Sequence, residues 1–171
     1  MRTIGIALVL FTFIVSVPVS AQAPEAEVDL ETVMQDFGRA VSDFGVTFML
    51  FHLNDVTTNA LFDVPLKYSL RAQARAATMF YVQGEADQDV ELQTDFRVQQ
   101  GAEHFQARLI DIENFSEGQE LEEGEAFRGI IAIEKLFDPK RFLENMQGIR
   151  VHYGGETYFF DFPADVVAQL P

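Results

Sequence analysis

Two stretches of the sequence are apolar at both odd and even positions, and this pattern restricts the fold more than any other feature. Residues 46–53 read VTFMLFHL and residues 127–133 read FRGIIAI. Successive side chains of a β-strand point to opposite faces, so a strand that is apolar at both parities needs cover on both faces. We therefore expect both stretches to be central strands of a covered sheet.

Three further segments also have strand or turn signals. Residues 90–99 alternate apolar and polar positions, which is typical of a strand with one face in solvent. From residue 105 to residue 112 the apolar set changes parity, which predicts a β-bulge near Leu109. Gly154 and Gly155 separate two strand-like runs and predict a tight hairpin, since glycine reaches the positive φ that such a turn demands.

Helical signals are fewer. An N-terminal helix capped by Asp29 and weakened by Gly38 is predicted by a set of apolar residues at helical spacing: Leu30, Val33, Met34, Phe37, Val41 and Phe44. A short helix over 138–148 is predicted because Asp138 suits an N-cap, Pro139 the first helical position and Gly148 a C-terminal stop. Residues 66–81 are ambiguous, and we interpret them as two strands.

Irregularly spaced strands without βαβ alternation predict a mainly β fold, either an antiparallel sandwich or a partly closed barrel. With an N-terminal helix and one inserted helix, the alternative is an α+β fold in which the first helix packs across a curved antiparallel sheet. The chain has 171 residues, enough for one domain with its own core.

Residues 121–133 read LEEGEAFRGIIAI, with Gly124-Glu125 shortly before Gly129, and residues 149–162 read IRVHYGGETYFFDF. These two segments resemble the penultimate and last strands of bacterial exported immunoglobulin-like domains. The resemblance implies an immunoglobulin-like β-sandwich, and a binding or assembly role in preference to catalysis. The two predicted helices are departures from the plainest version of such a domain.

The N-terminus predicts export. Arg2 precedes a mostly apolar run over residues 4–17, and Val19-Ser20-Ala21 fits the small-x-small cleavage rule. We expect residues 1–21 to be a Sec-type signal peptide, residues 22–28 a linker and residues 29–171 a single β-rich domain. The mature protein is then periplasmic or extracellular, without stable membrane insertion.

Charge and composition exclude several classes of function. The chain has 12 Lys and Arg against 27 Asp and Glu, a formal net charge of -15, which repels nucleic acid and anionic membranes. It has no cysteine, and this excludes disulfides, metal sites with thiolate ligands and cysteine nucleophiles. No nucleophile elbow or phosphate-binding loop occurs, so we do not expect an enzyme.

The candidate metal ligands are carboxylates and histidines. Asp87, Asp89 and Glu91 could offer oxygens to Ca²⁺, although Leu92 and Val98 occupy the positions where an EF-hand needs Gly and Glu. These three carboxylates are compatible with a loose calcium site and also with the solvated face of a strand. The histidines that could share a transition-metal site, without any spacing signature, are His52, His104 and His152.

Two surfaces are candidates for binding another envelope protein. One is the acidic loop over residues 116–125, where Glu120, Glu122 and Glu123 lie and a solubilising role is the alternative. The other is the last strand, where Tyr158 and Phe160 are the candidate contacts.

We expect a non-catalytic binding or assembly module of the bacterial envelope that acts through protein–protein contacts. The alternatives are a periplasmic carrier of a small apolar or lipid-like ligand and a calcium-stabilised structural module. For the carrier, the candidate cavity residues are Phe48, Phe80, Phe96 and Phe160.

Overall fold

The computed structural model describes residues 30–133 and 148–162. The predicted signal peptide, the linker and the helix over 138–148, apart from Gly148, lie outside the described residues. The helices are α1 (Leu30–Phe37), α2 (Asp55–Leu61) and α3 (Leu66–Ala74). The strands are β1 (Gly38–Asp43), β2 (Val46–His52), β3 (Thr78–Ala86), β4 (Val90–Glu91), β5 (Arg97–Gln100), β6 (Glu103–Gln106), β7 (Arg108–Glu113), β8 (Glu120–Leu121), β9 (Ala126–Ile133), β10 (Ile149–Tyr153) and β11 (Glu156–Phe160).

The protein is mainly β, and its sheets are antiparallel and open. A five-stranded sheet, which we call the large sheet, has the order β1-β2-β3-β9-β7. A four-stranded sheet, the small sheet, has the order β11-β10-β5-β6. Strands β4 and β8 form a separate two-stranded ribbon.

The two sheets share one hydrophobic core. Phe48 of the large sheet contacts Tyr153 of the small sheet at 5.3 Å between ring centroids, and Phe80 contacts Phe160 at 4.9 Å. Val82, Ile131 and Val151 are fully buried in the same cluster. Edge-to-face and tilted rings at these distances contribute beyond the burial of their area.

The helices cover the opposite face of the large sheet. Val33 of α1 and Leu70 of α3 pack on this face with three strand residues: Phe51, Tyr81 and Ile130. The residues that alternate with these along each strand point the other way, into the core between the two sheets. Strands β2, β3 and β9 are therefore covered on both faces. This confirms the prediction for β2 and β9 and explains why their sequences are apolar at both parities.

Two predictions about the helical regions are wrong. The N-terminal helix ends at Phe37, and residues 38–43 form β1, because Phe44 and Gly45 adopt positive φ and turn β1 back onto β2. The first half of residues 66–81 is helix α3 and not a strand. Its alanines favour a helix, and the buried Leu70 anchors that helix to the sheet.

The predicted strand over 90–99 is divided between β4 and β5, although Leu92, Phe96 and Val98 are buried as their alternation indicates. After β6 the chain passes at Ala107 from the small sheet to the large one as β7. The ladder irregularity lies between Asp111 and Glu113 and not near Leu109. The predicted hairpin is confirmed as β10 and β11, with Gly154 at φ 61°.

Candidate functional site

The acidic ribbon is the surface of strands β4 and β8 and their flanking loops. It brings the predicted calcium residues Asp89 and Glu91 next to the predicted partner residues Glu120, Glu122 and Glu123. Glu91 pairs with Glu120 across the ribbon, and a shallow cleft of about 500 Å³ runs along it. Like charges directly opposite each other repel, so this surface concentrates negative potential.

Part of this charge has a structural use. The carboxylate of Asp89 accepts a hydrogen bond from the backbone N–H of Glu123 at 3.0 Å. The carboxylate of Glu125 accepts one from the N–H of Glu122 and another from the side chain of Asn114, both at 3.0 Å. Such charge-assisted bonds hold the loop in its turn conformation, and they occupy oxygens that a cation would need.

Asp87 does not join the ribbon. Its carboxylate accepts a hydrogen bond from the Thr47 hydroxyl at 2.9 Å, at the start of β2. Across residues 30–133 and 148–162, no three His, Asp or Glu side chains come together in a way that could hold a metal ion. The calcium site over Asp87, Asp89 and Glu91 stays a prediction.

The last strand contacts the core through the two residues predicted to contact a partner. Phe160 is fully buried against Phe80, and Tyr158, half-buried, packs on the same core because both share the inward parity of β11. The aromatic run 158–160 covers both parities, so the sequence could not indicate which one faces solvent. In the structure Phe159 is the residue of this run that faces solvent, and it is 52% exposed.

The outer face of the small sheet is the surface opposite its core. Its outward positions alternate with the buried Val98, Val151 and Phe160 and the partly buried Phe105, and they are Arg97, Gln99, His104, Gln106, Arg150, His152, Thr157 and Phe159. These eight positions hold two arginines and no carboxylate, in a chain of net charge -15. Arg150 lies over the Phe159 ring at 5.4 Å, and Arg97 pairs with Asp95 of the preceding loop at 2.9 Å.

The structure brings two of the three histidines together. The rings of His104 and His152 lie 6.4 Å apart between centroids on the outer face of the small sheet. His52 is buried in the core, where its ring contacts Phe80 and Phe162, and burial lowers its pKa to about 3. The predicted site of three histidines is therefore not formed.

The phenylalanines proposed to line a carrier cavity fill the core. Phe48 contacts Phe96 at 6.1 Å, and Phe80 contacts Phe160 at 4.9 Å between ring centroids. A ligand between these residues would have to displace rings that already contact one another.

A buried ion cluster was missed from the sequence. The Asp55 carboxylate, only 8% exposed at the start of α2, accepts hydrogen bonds from Arg71 of α3 and from Arg75, which directly follows that helix. Burial opposes its charge, but the bonds from Arg75 and Arg71 prevail and lower the pKa of Asp55. The sequence signal for this cluster is the spacing of the two arginines, because residues four apart lie on the same side of a helix.

Comparison with known proteins does not identify a family for this chain. The chain matches no protein-family model, no curated protein and no solved structure. Within the two described ranges, no helix is long and apolar enough to cross a membrane.

Proposed function

We propose that the protein is a non-catalytic binding module of the bacterial envelope that contacts another envelope protein through the outer face of the small sheet. The observation that carries this proposal is the exposed Phe159 under the Arg150 guanidinium, on a face where outward positions carry no carboxylate. Aromatic residues and arginine are enriched at protein–protein interfaces and dominate their binding energy.

The charge of this face supports a partner with acidic groups. The rest of the chain has a large excess of carboxylates, which repels acidic surfaces. Arg150 places a positive charge on this face, whereas the charge of Arg97 is balanced by Asp95 of the preceding loop, so an acidic partner would be attracted to Arg150 and repelled by the carboxylates elsewhere. The acidic ribbon is the less favoured contact surface because several of its carboxylates hold its own loop.

The proposal also includes the location of the protein and its immunoglobulin-like fold. The envelope location rests on the signal-like residues 1–21. The immunoglobulin-like identity is supported by two antiparallel sheets that share a core, with the three helices as an addition on the outer face of the large sheet.

Site-specific photocrosslinking in the source cells tests the proposal. A photoreactive phenylalanine analogue is placed at position 159, and in a matched control at position 68, where Tyr68 is equally exposed on α3. We expect one discrete adduct from position 159, lost with Arg150→Glu, and none from position 68. Equal labelling from both positions, or none from either, would refute a contact through this face.

A further inference from the structure

We propose that His104 and His152 form a binding site for one late first-row transition-metal ion, such as Zn²⁺, on the outer face of the small sheet. This inference does not depend on the proposed binding function. Imidazole nitrogen is a preferred ligand of Zn²⁺, Cu²⁺ and Ni²⁺.

The first observation is how strand pairing places the two rings. His104 lies opposite Gln99 on one side of β5, and His152 lies opposite Arg97 on the other side. Both side chains have the outward parity, and their rings meet above β5 at 6.4 Å between centroids and 28° between planes. Two nitrogens bound to one Zn²⁺ lie within about 4 Å of each other, since each bond is about 2 Å long. Binding would therefore turn the His104 ring towards His152, whose own ring is held by Thr157.

The second observation fixes which nitrogen is available. Nδ1 of His152 is 2.9 Å from the Thr157 hydroxyl, while Nε2 is buried and has no hydrogen-bond partner among the described residues. An orphaned buried N–H is rarer than an under-satisfied acceptor, so we place the proton on Nδ1, which donates to Thr157. Nε2 then carries a lone pair. A hydrogen bond at one ring nitrogen that orients the other is the usual environment of a metal-binding histidine.

The neighbouring cations are already engaged by other groups. The guanidinium of Arg97 is bound by Asp95, whose other oxygen accepts a hydrogen bond from Gln106. Arg150 lies over Phe159 and contacts Gln99. No third His, Asp or Glu completes a ligand group in the described part of the chain, so water or a donor from a bound molecule would fill the remaining positions.

Isothermal titration of the purified protein with Zn²⁺ tests this site. We expect one ion per chain, and affinity about tenfold or more weaker in His104→Gln and in His152→Gln. Gln73→Ala, at an exposed position of α3 away from this face, is the control and should bind as the wild type does. Circular dichroism establishes that each variant is folded.

Two further measurements separate this site from binding elsewhere. Nitrogen NMR of the imidazoles should show Zn²⁺ on Nε2 of His152, and Thr157→Val should weaken binding about tenfold because it removes the orienting hydroxyl. No Zn²⁺ binding by the wild type would overturn the proposal. Undiminished binding in both histidine variants would overturn it as well, because the ion would then be held by carboxylates such as those of the acidic ribbon.

Discussion

Asp55 is a charged residue that the fold holds in its interior, and it ties α2 to α3 through Arg71 and Arg75. We expect Asp55→Asn to lower the free energy of unfolding by about 2 kcal/mol at pH 7, since it weakens two hydrogen bonds to a buried charge. Urea unfolding measures the loss. Asp95→Asn, which disrupts an exposed pair with Arg97, is the control and should cost far less.

The same residue predicts a pH dependence. The pKa of Asp55 is lowered in the folded state, so its contribution is complete above the ordinary value of about 4 and is lost as pH falls through the folded value. The difference in stability between wild type and Asp55→Asn should therefore shrink below pH 4. A difference that stays constant down to pH 2 would contradict the buried ion cluster.

His52 predicts a second pH effect at higher pH. Burial lowers its pKa to about 3, so between pH 3 and its unfolded value of about 6.5 the unfolded chain binds a proton that the folded chain does not. Stability should fall with falling pH in that window, by about 1.4 kcal/mol per unit at the steepest. In His52→Gln this slope should be absent over pH 5.0–6.5, while above pH 7 the two proteins should differ by a constant amount. Parallel curves through the whole window would contradict a neutral buried imidazole.

At the scale of single elements, β9 depends on a close approach that only glycine allows. A Cβ at Gly129 would overlap the ring of Phe115, which packs on the strand at that point. We expect Gly129→Ala to destabilise the protein by roughly 1 to 3 kcal/mol through overpacking. Gly155→Ala is the matched control, because nothing lies near its Cβ, and it should be nearly neutral in thermal unfolding.

The strands and turns also show which elements could be predicted from local sequence patterns and which could not. The hairpin of β10 and β11 was predictable because a Gly-Gly pair separates two strand-like runs, and Gly154 takes the positive φ of the turn. β1 was not predictable, since Val41 and Phe44 have helical spacing by coincidence and only pairing with β2 makes residues 38–43 a strand. The alternation of residues 90–99 identified the buried side chains, but it could not indicate that β4 and β5 belong to different sheets.

At the scale of the whole molecule, the net charge of -15 predicts a response to salt. Self-repulsion destabilises the compact state, and about 0.1 M salt already screens charges more than 10 Å apart. We expect NaCl to raise the melting temperature. The variant Glu120→Gln/Glu122→Gln/Glu123→Gln should be more stable than wild type at low salt and equal to it at high salt. A variant advantage that persists at high salt would contradict an electrostatic cause.

The calcium prediction is tested by the same measurement. Asp87 is engaged by Thr47 at the start of β2, whereas Asp89 and Glu91 belong to the acidic ribbon. We therefore expect CaCl₂ and NaCl at matched ionic strength to raise the melting temperature equally. A rise specific to Ca²⁺, and lost in Asp89→Asn, would instead establish the calcium-stabilised module.

The mainly β, antiparallel character, the doubly covered strands β2 and β9 and the last hairpin could all be predicted from the amino-acid sequence. These features follow from side-chain periodicity and turn residues within about ten positions, which local physics controls. The inward position of Phe160, the exposure of Phe159 and the contact of His104 with His152 across β5 are known only from the folded arrangement of the strands. Such contacts join residues far apart in the chain, and their geometry depends on strand order and register, which no local pattern contains.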